Sequence, residues 1–386
     1  MKEKHDIIVL YAPPFDQPAQ LSKHHFAKLW ARDRRVLYVE APINPASFFT
    51  RKEEAIKLWN RYRNGPLSIT NNLWATTFFY LLPYRGSRYF MGAKWVNSIN
   101  QYFILNKLKS QIESLNLRNP ILFIGGAHAY PLLSHFKKLL KVYHCSDDYT
   151  LVPSFPESFG EIEQSLIKEC DLVVTTADEL KESKKKYNPN TISIPNGANI
   201  NHFFKAQDNN TKVPEVMKHY KKPVIGYIGS IFRWLNIDWI DFASRKFPDY
   251  HFVFIGPISI DISKFENRDN IEFLGPRPYE NLPGYLKKFD VAVIPFVIDG
   301  VTLKASPIKF YEYLASGVPI VSTELPDLLP LKDHAYLVKD KEDYCNKIER
   351  AINDDKDNLK NDRINISKKY SWKARFETLN KYINEL

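Results

Sequence analysis

Short apolar runs rich in β-branched residues recur along the whole chain, and longer stretches with helical spacing fill the intervals between them. The runs are Ile7–Tyr11, Val36–Val39, Ile121–Ile124, Val142–His144, Leu172–Thr175 and Thr191–Ile194. After a gap come Val224–Ile228, Phe252–Ile255, Ile271–Leu274, Val291–Ile294 and Ile320–Ser322. Helical spacing occupies Lys23–Arg32, Ser98–Leu115, Phe159–Glu169 and Lys309–Ser316. Such alternation limits the fold to α/β architectures with parallel sheets and helices on both faces. Ligands of these sheets sit beyond the carboxyl ends of the strands.

The strands fall into two series that part near residues 200–222, where Asp208-Asn209-Asn210-Thr211-Lys212 is polar and unpatterned. A chain of 386 residues is long for one core and comfortable for two. The pattern predicts one domain over 1–203 and another over 204–368. In the remaining segment, 369–386, Trp372, Phe376, Leu379 and Ile383 share one helical face, which suggests a closing helix that packs back on the first domain.

Composition narrows the function classes. Mean hydropathy is −0.37 and hydrophobic residues make up 44% of the chain, which suits a soluble protein with sizeable interiors. Ile7–Leu10 is too short for a signal-peptide core, and the apolar stretch around Phe78–Leu82 falls far below the ~18 residues that span a bilayer. We therefore expect a cytoplasmic protein. Three cysteines, Cys145, Cys170 and Cys345, form no CxxC pair, which fits a reducing compartment and argues against structural zinc.

Charge is unevenly placed. Residues 1–145 hold 21 Lys and Arg against 8 Asp and Glu, a net +13, while the other 241 hold 33 against 36, a net −3. A basic half is either a solvated surface or an attraction for an anionic partner such as a membrane, a lipid pyrophosphate or nucleic acid. Aromatic and basic residues interleave at Trp74, Tyr80, Tyr84-Arg85, Arg88-Tyr89-Phe90 and Lys94-Trp95. That pattern suits an interfacial contact at an anionic membrane surface, or equally a core helix with a charged outer face. Nucleic acid ranks last, because the charge forms no compact Arg-rich element and no recognition motif accompanies it.

The most informative segment runs from Ser306 to Thr323, Ser-Pro-Ile-Lys-Phe-Tyr-Glu-Tyr-Leu-Ala-Ser-Gly-Val-Pro-Ile-Val-Ser-Thr. A loop opens a helix at about Ile308, with Pro307 suited to its first turn. The free N–H groups and positive dipole end of such a helix suit a diphosphate, and Lys309 adds a point charge there. Glu312, one turn on, can accept hydrogen bonds from vicinal ribose hydroxyls. Gly317 ends the helix and a strand follows at once.

This segment resembles the donor-site signature of retaining GT-B glycosyltransferases in the large family-four group. Ile194-Pro195-Asn196-Gly197-Ala198-Asn199, with Phe203, is similar to that family's interdomain element. Gly226-Tyr227-Ile228-Gly229-Ser230 with Arg233 looks like the strand and turn that open its donor domain. Phe254-Ile255-Gly256-Pro257 and the stretch from Phe273-Leu274-Gly275 to Pro295-Phe296 match two further elements in order. Val36–Pro42 resembles the second strand of a subgroup that includes teichuronic-acid and other polysaccharide glycosyltransferases.

The resemblance implies an α/β fold of the GT-B type: two Rossmann-like domains with mostly parallel sheets facing a central cleft, acceptor on the N-terminal side and donor in 204–368. It implies transfer of a sugar from a nucleotide-sugar donor, a UDP-sugar favoured, to a glycan or polyprenyl-linked acceptor in cell-surface polysaccharide biosynthesis. Retention, no further cofactor and no metal belong to the same implication. Carried over by position, Glu312 would hold the ribose, and the backbone at Ser306, Ile308 and Lys309 would face the phosphates. Arg233 and Lys309 would stabilise charge on the leaving nucleotide, although Arg233 also reads as a surface ion-pair residue. Gly229-Ser230 and Gly256-Pro257 would bound the donor, and the turn Gly275–Tyr279, with Arg277 and Tyr279, would meet the base.

In the N-terminal half, Asp147-Asp148 follows a buried-strand pattern, and one of the two carboxylates is placed to reach sugar hydroxyls. Asp148 is the preference, against an Asx turn or helix cap as the other reading. His128 in Gly125-Gly126-Ala127-His128, and His24 and His25 at the start of the first helix, are cleft-lining candidates with a structural role equally open. No spacing of His, Asp and Glu makes a convincing metal set.

The chain departs from the family pattern in three places. Lys304 stands eight residues before Glu312, where relatives often carry Glu; Pro13-Pro14-Phe15-Asp16-Gln17-Pro18 replaces a glycine-rich loop; and the lysine that commonly follows the donor-domain arginine is absent. A GT-B-fold nucleotide-sugar epimerase or hydrolase is the alternative enzyme.

Overall fold

The computed structural model describes residues 5–17, 20–82, 94–151, 158–221, 223–353 and 357–386. Two compact units emerge, one of Met1–Ile194 with Leu379–Leu386 and one of Pro195–Thr378.

The first unit carries β1 Ile7–Ala12, β2 Val36–Glu40, β3 Leu67–Thr70, β4 Leu73–Thr76, β5 Ile121–Ile124, β6 Lys141–Cys145, β7 Leu172–Thr175 and β8 Thr191–Ser193. They form one sheet in the order β3-β4-β2-β1-β5-β6-β7-β8. Every neighbouring pair runs parallel except β3 with β4. β1, β2, β5, β6 and β7 are buried at every residue, as strands covered by helices on both faces must be. Strand order reverses between β1 and β5, so a crevice is expected beyond their carboxyl ends.

The second unit carries β9 Val224–Ile228, β10 His251–Ile255, β11 Ile271–Gly275, β12 Val291–Ile294, β13 Ile320–Thr323 and β14 Tyr336–Val338. Their order is β11-β10-β9-β12-β13-β14, parallel throughout. This is the doubly wound dinucleotide-binding order, with its reversal between β9 and β12. The helix Ile237–Lys246 follows β9, its N-terminus capped by the Asn236 side chain accepting from the Trp239 N–H at 3.1 Å.

All eleven strands expected from sequence are present, with ends within a residue of expectation. Three others were not legible. β3 is solvent-exposed along most of its length and so carries no apolar run. β4 borrows its pairing from β2, and β14 is only three residues long.

The units divide after Ile194 and not after residue 203. Backbone pairing gives the reason: Ala198 N–H donates to Tyr370 O at 2.9 Å, and Trp372 N–H donates to Ala198 O at 3.3 Å. The segment Pro195–Asn199 is thereby sewn to the chain's return and belongs to the second unit. The expected terminal segment also divides. Trp372 lies in the second unit, while Leu379–Leu386 belongs to the first, where Asn380 accepts from the Trp30 indole at 2.9 Å.

Candidate functional site

In the second unit, the helix Ile308–Ser316 begins beyond β12, close to the reversal of strand order. No side chain caps its N-terminus, so the first N–H groups keep their positive dipole end unmasked. At its other end Gly317 takes φ 74°, and Arg363 donates to the Gly317 carbonyl from Nε at 3.1 Å and Nη2 at 2.9 Å. The tail of the helix is thus satisfied, and its head is open.

Side chains lock that head in place. Asn196 donates to Ser306 from its backbone at 3.2 Å and from Nδ2 to the Ser306 carbonyl at 2.8 Å. Ser306 Oγ lies 3.1 Å from the Tyr311 hydroxyl, which donates to Asp327 at 2.8 Å. On the opposite face, the Tyr313 hydroxyl accepts from the Ile228 N–H at 2.8 Å, tying the helix to the end of β9. The motif quoted from sequence is therefore a set of mutual restraints, with Asn196 fixing the loop that leads into the helix.

Glu312 is buried, 5% exposed, and accepts from Lys309 Nζ at 2.8 Å. Its charge is felt by His202 and by the Tyr279, Tyr227 and Tyr313 hydroxyls; burial is the chief cause that raises the three tyrosines above their ordinary range and lowers His202 below its own. Tyr279 stacks on His202 with centroids 4.4 Å apart at 11°, and His202 Nε2 lies 2.9 Å from the Tyr279 carbonyl oxygen. Glu312 and Tyr279, chosen separately from sequence, share one electrostatic neighbourhood. His202 was not singled out, because a lone His on a short helix has no sequence signal.

Two glycines shape the floor. Gly256 adopts φ 147°, and a Cβ there would lie 2.0 Å from the Gly229 carbonyl oxygen, so only glycine fits. Gly229 donates its N–H to Ile255 O at 2.8 Å, and the Tyr227 hydroxyl donates to the Ser230 carbonyl at 3.2 Å. Pro257 O accepts from the Ile231 N–H at 2.9 Å, closing the same turn. Arg233 is exposed and forms no ion pair among the described residues, so it is not a surface ion-pair residue here. Arg277 is exposed, its Nη1 3.5 Å from the Pro276 carbonyl oxygen. Ile308 and Lys304 are half-buried at the helix start and in the turn before it.

The first unit has a cavity of about 300 Å³ at its own reversal of strand order. Tyr11, at the end of β1, takes φ 59°, a conformation that costs a bulky residue roughly 1–3 kcal/mol. The glycine-free loop after it is pinned by side chains: the Tyr38 hydroxyl donates to Pro13 O at 2.8 Å, and Phe15 N–H donates to Glu40 at 2.7 Å. Glu40 also pairs with Arg61, which reaches Asp16 at 2.8 Å. Burial pushes the Glu40 carboxyl up to about 7.

His24 helps hold the same loop. Its Nε2 lies 3.0 Å from Pro14 O and its Nδ1 accepts from the Leu21 N–H at 3.0 Å, so it is a loop clamp and helix cap, fully buried. His25 is pushed down to about 4 by burial.

The cavity wall includes Lys23, His128, Ser146 and Asp147. His128 stacks on Tyr11 with centroids 4.7 Å apart at 16°. The structure reverses the sequence preference between the two aspartates. Asp148 is buried, accepts from Thr150 Oγ1 at 2.5 Å and lies 3.7 Å from Lys184, the Asx-type arrangement, whereas Asp147 faces the cavity. Successive residues at a strand end point to opposite sides, and the inward one is tied up by Lys184.

Among the described residues no cluster of His, Cys, Asp and Glu is grouped as a metal site, and no helix is long and apolar enough to cross a membrane. Of the interfacial pattern read from sequence, 83–93 and the Lys94 and Trp95 side chains lie outside the described residues; Trp74 is half-buried and Tyr80 buried.

Residues 222–354 match the family model described as glycosyl transferases group 1. The chain is 25% identical over 278 residues, 66% of its own length and 69% of the relative's, to TuaH of Bacillus subtilis (strain 168), named as a teichuronic acid biosynthesis glycosyltransferase. Among solved structures it is similar to sucrose-phosphate synthase from Thermosynechococcus elongatus, with a TM-score of 0.68 at 14% identity over 99% of each chain. HepE of Anabaena in complex with UDP and glucose gives a TM-score of 0.64 at 13% identity, covering 99% of this chain and 100% of that one. Two doubly wound units, with this motif in the second, share their fold with solved GT-B glycosyltransferases, and residues 222–354 are similar to glycosyl transferases of group 1.

Proposed function

We propose that the protein moves a sugar from a UDP-sugar to a glycan or polyprenyl-linked acceptor in cell-surface polysaccharide biosynthesis, with retention and without a metal. One observation carries the donor assignment: the uncapped helix start at Ile308 stands one turn before a buried carboxylate, Glu312, that is already tethered to Lys309. A diphosphate placed at that helix end meets free N–H groups, and Lys309 and Arg233 supply positive charge without an ion. Glu312 accepts from the ribose hydroxyls, and the Tyr279 ring, backed by His202, presents a flat face to the base.

The finer terms draw support from relatives, HepE being solved with UDP and glucose and TuaH named for teichuronic acid synthesis. In the retaining reaction the departing phosphate takes the proton of the acceptor hydroxyl, so no side-chain base is required; the protein positions the reactants and stabilises charge. The membrane contact is part of the same proposal. Phe49, Ile99, Tyr102 and Phe103 are exposed on the basic first unit, 90% in the case of Phe49, and they suit docking at the inner, anionic face of a membrane.

The test is product analysis with labelled UDP-hexoses and a membrane-lipid extract. Label entering the lipid or glycan fraction supports the reading. Free sugar or an epimerised nucleotide-sugar, formed equally without acceptor, contradicts it and favours the hydrolase or epimerase.

A further inference from the structure

The head of the helix Ile308–Ser316 is held by a polar chain that runs in one direction. The Tyr311 hydroxyl donates to Asp327 at 2.8 Å, so at 3.1 Å it accepts from Ser306 Oγ. Ser306 Oγ in turn accepts from the Asn196 N–H at 3.2 Å. Each hydroxyl in the chain gives its one proton and takes another. Tyr311 is fully buried, and burial together with Asp327 raises its hydroxyl well above the ordinary range, so it stays a donor. A phenylalanine at 311 would fill the same space, but only the hydroxyl reaches Ser306 and Asp327.

The chain's return closes this line into a ring. Tyr370 stacks on Tyr311 with centroids 4.9 Å apart at 14°. Its carbonyl accepts from the Ala198 N–H at 2.9 Å, two residues beyond Asn196. Gly197 permits the close approach, since a Cβ there would lie 3.0 Å from the Tyr370 carbonyl oxygen. Ser306, Tyr311, Tyr370, Ala198 and Asn196 thus form a closed circuit within the second unit. Ser306 is restrained from Asn196 on one side and from Tyr311 on the other.

Arg375 fixes the circuit from outside. Its Cζ lies 4.4 Å from the Tyr370 ring centroid, and its Nε and Nη2 are buried with no hydrogen-bond partner among the described residues. Unpaired N–H groups on a buried guanidinium are costly, and the π electrons of Tyr370 are what offsets that cost. The Arg375 charge is felt at the Tyr311 hydroxyl, against the upward push of burial and Asp327. Arg375 thereby holds the ring on which Tyr311 rests.

The circuit governs the N–H groups at the helix head. Phe310 N–H is spent on the Pro307 carbonyl at 3.0 Å, and Pro307 has none to give, which leaves those of Ile308 and Lys309 to a ligand. Hydrogen bonds weaken steeply with distance and angle, so a shifted Ser306–Pro307 turn costs affinity for a diphosphate. The helix body is anchored separately, by the Tyr313 hydroxyl at the end of β9. We infer that Tyr311, Tyr370 and Arg375 are positioning residues for the nucleotide's diphosphate, acting through Ser306 on the Ile308 and Lys309 N–H groups. The inference rests on the donor reading of this helix head.

The experiment is isothermal titration of the full chain with UDP, paired with saturation-transfer NMR on uridine, which carries no phosphate. The variants are Tyr311→Phe, Arg375→Met, Arg375→Lys and the double variant of Tyr311→Phe with Arg375→Met. UDP affinity should fall about fivefold in Tyr311→Phe, the scale of one hydrogen bond. In Arg375→Met it should fall about threefold, and Arg375→Lys should recover part of the loss. The double variant should bind UDP no worse than Tyr311→Phe alone, because Arg375 acts through Tyr311. Uridine signals should stay at the native level in every variant, which also shows that each is folded. Loss of uridine in step with UDP would mean a merely structural role and overturn the inference. So would native UDP affinity in Tyr311→Phe or Arg375→Met, or losses that add in the double variant. A native chain that binds no UDP would sink the donor reading and this inference together. Unresponsive variants of a chain that does bind UDP would sink this inference alone.

Discussion

Lys309 Nζ donates to Glu312 Oε2 at 2.8 Å, across one turn of the helix that begins at Ile308. The pair joins a half-buried cation to a buried carboxylate, so each holds the other's rotamer before any ligand arrives. Lys309→Met removes both the proposed phosphate partner and the restraint on Glu312. Affinity for UDP should fall about tenfold, the scale of one charged hydrogen bond, and Lys309→Arg should recover part of it. Isothermal titration checks this; unaltered affinity in Lys309→Met contradicts it.

Lys23 sets a pH dependence. Burial pushes its ammonium from an ordinary 10.5 down to about 8. Between those values the unfolded chain binds the proton and the folded chain does not, so this group's contribution to stability rises with pH across that window. Below about 8 the cost of the buried charge is fully present. Lys23→Met abolishes the titration, so its stability relative to the native chain should decline by about 3 kcal/mol as pH rises from 8 to 10.5. Urea unfolding at stepped pH measures the difference, and a gap independent of pH contradicts the account.

Gly256 and Gly275 both have positive φ, yet their surroundings differ. A Cβ at Gly256 would collide with the Gly229 carbonyl oxygen, while at Gly275 nothing lies within 4 Å. Gly275→Ala should cost only the strain of the left-handed conformation, about 1–2 kcal/mol. Gly256→Ala should displace the β9 turn and lose the response to UDP. Similar melting behaviour of the two variants would contradict the assignment of Gly256 to the site's floor.

The proposed membrane contact predicts flotation with vesicles that contain anionic lipid, release by high salt, and weak association with zwitterionic vesicles. Phe49→Ala should reduce flotation several-fold, on the order expected for losing one inserted aromatic ring, with UDP binding unaffected. Equal flotation with both vesicle types would remove electrostatics from the account.

Legibility in the sequence followed burial and periodicity. Strands apolar on both faces, such as Ile121–Ile124 and Val291–Ile294, announced themselves, while exposed β3 carried no pattern. Around the helix Ile308–Ser316, proposed as the donor site, Ser306, Glu312 and Gly317 stood out in the sequence because helix starts and stops have chemical signatures. Lys23 and His202 were not. A buried lysine looks like any surface lysine until the fold places Gly125 and Ser146 around it, and His202 matters only through its stacking on Tyr279. The choice between Asp147 and Asp148 needed Lys184, thirty-odd residues away, which draws Asp148 inward.

The central claim is the nucleotide grip at Glu312. A thermal-shift panel of UDP, GDP, ADP and dTDP and their sugars, run on the native chain and on Glu312→Ala, tests it directly. One nucleotide class, UDP, should raise the native melting temperature, by a free energy of about 2.7 kcal/mol at a hundredfold excess over Kd, and most of that gain should vanish in the variant. Equal stabilisation of Glu312→Ala, or none of the native chain by any nucleotide, would contradict the account.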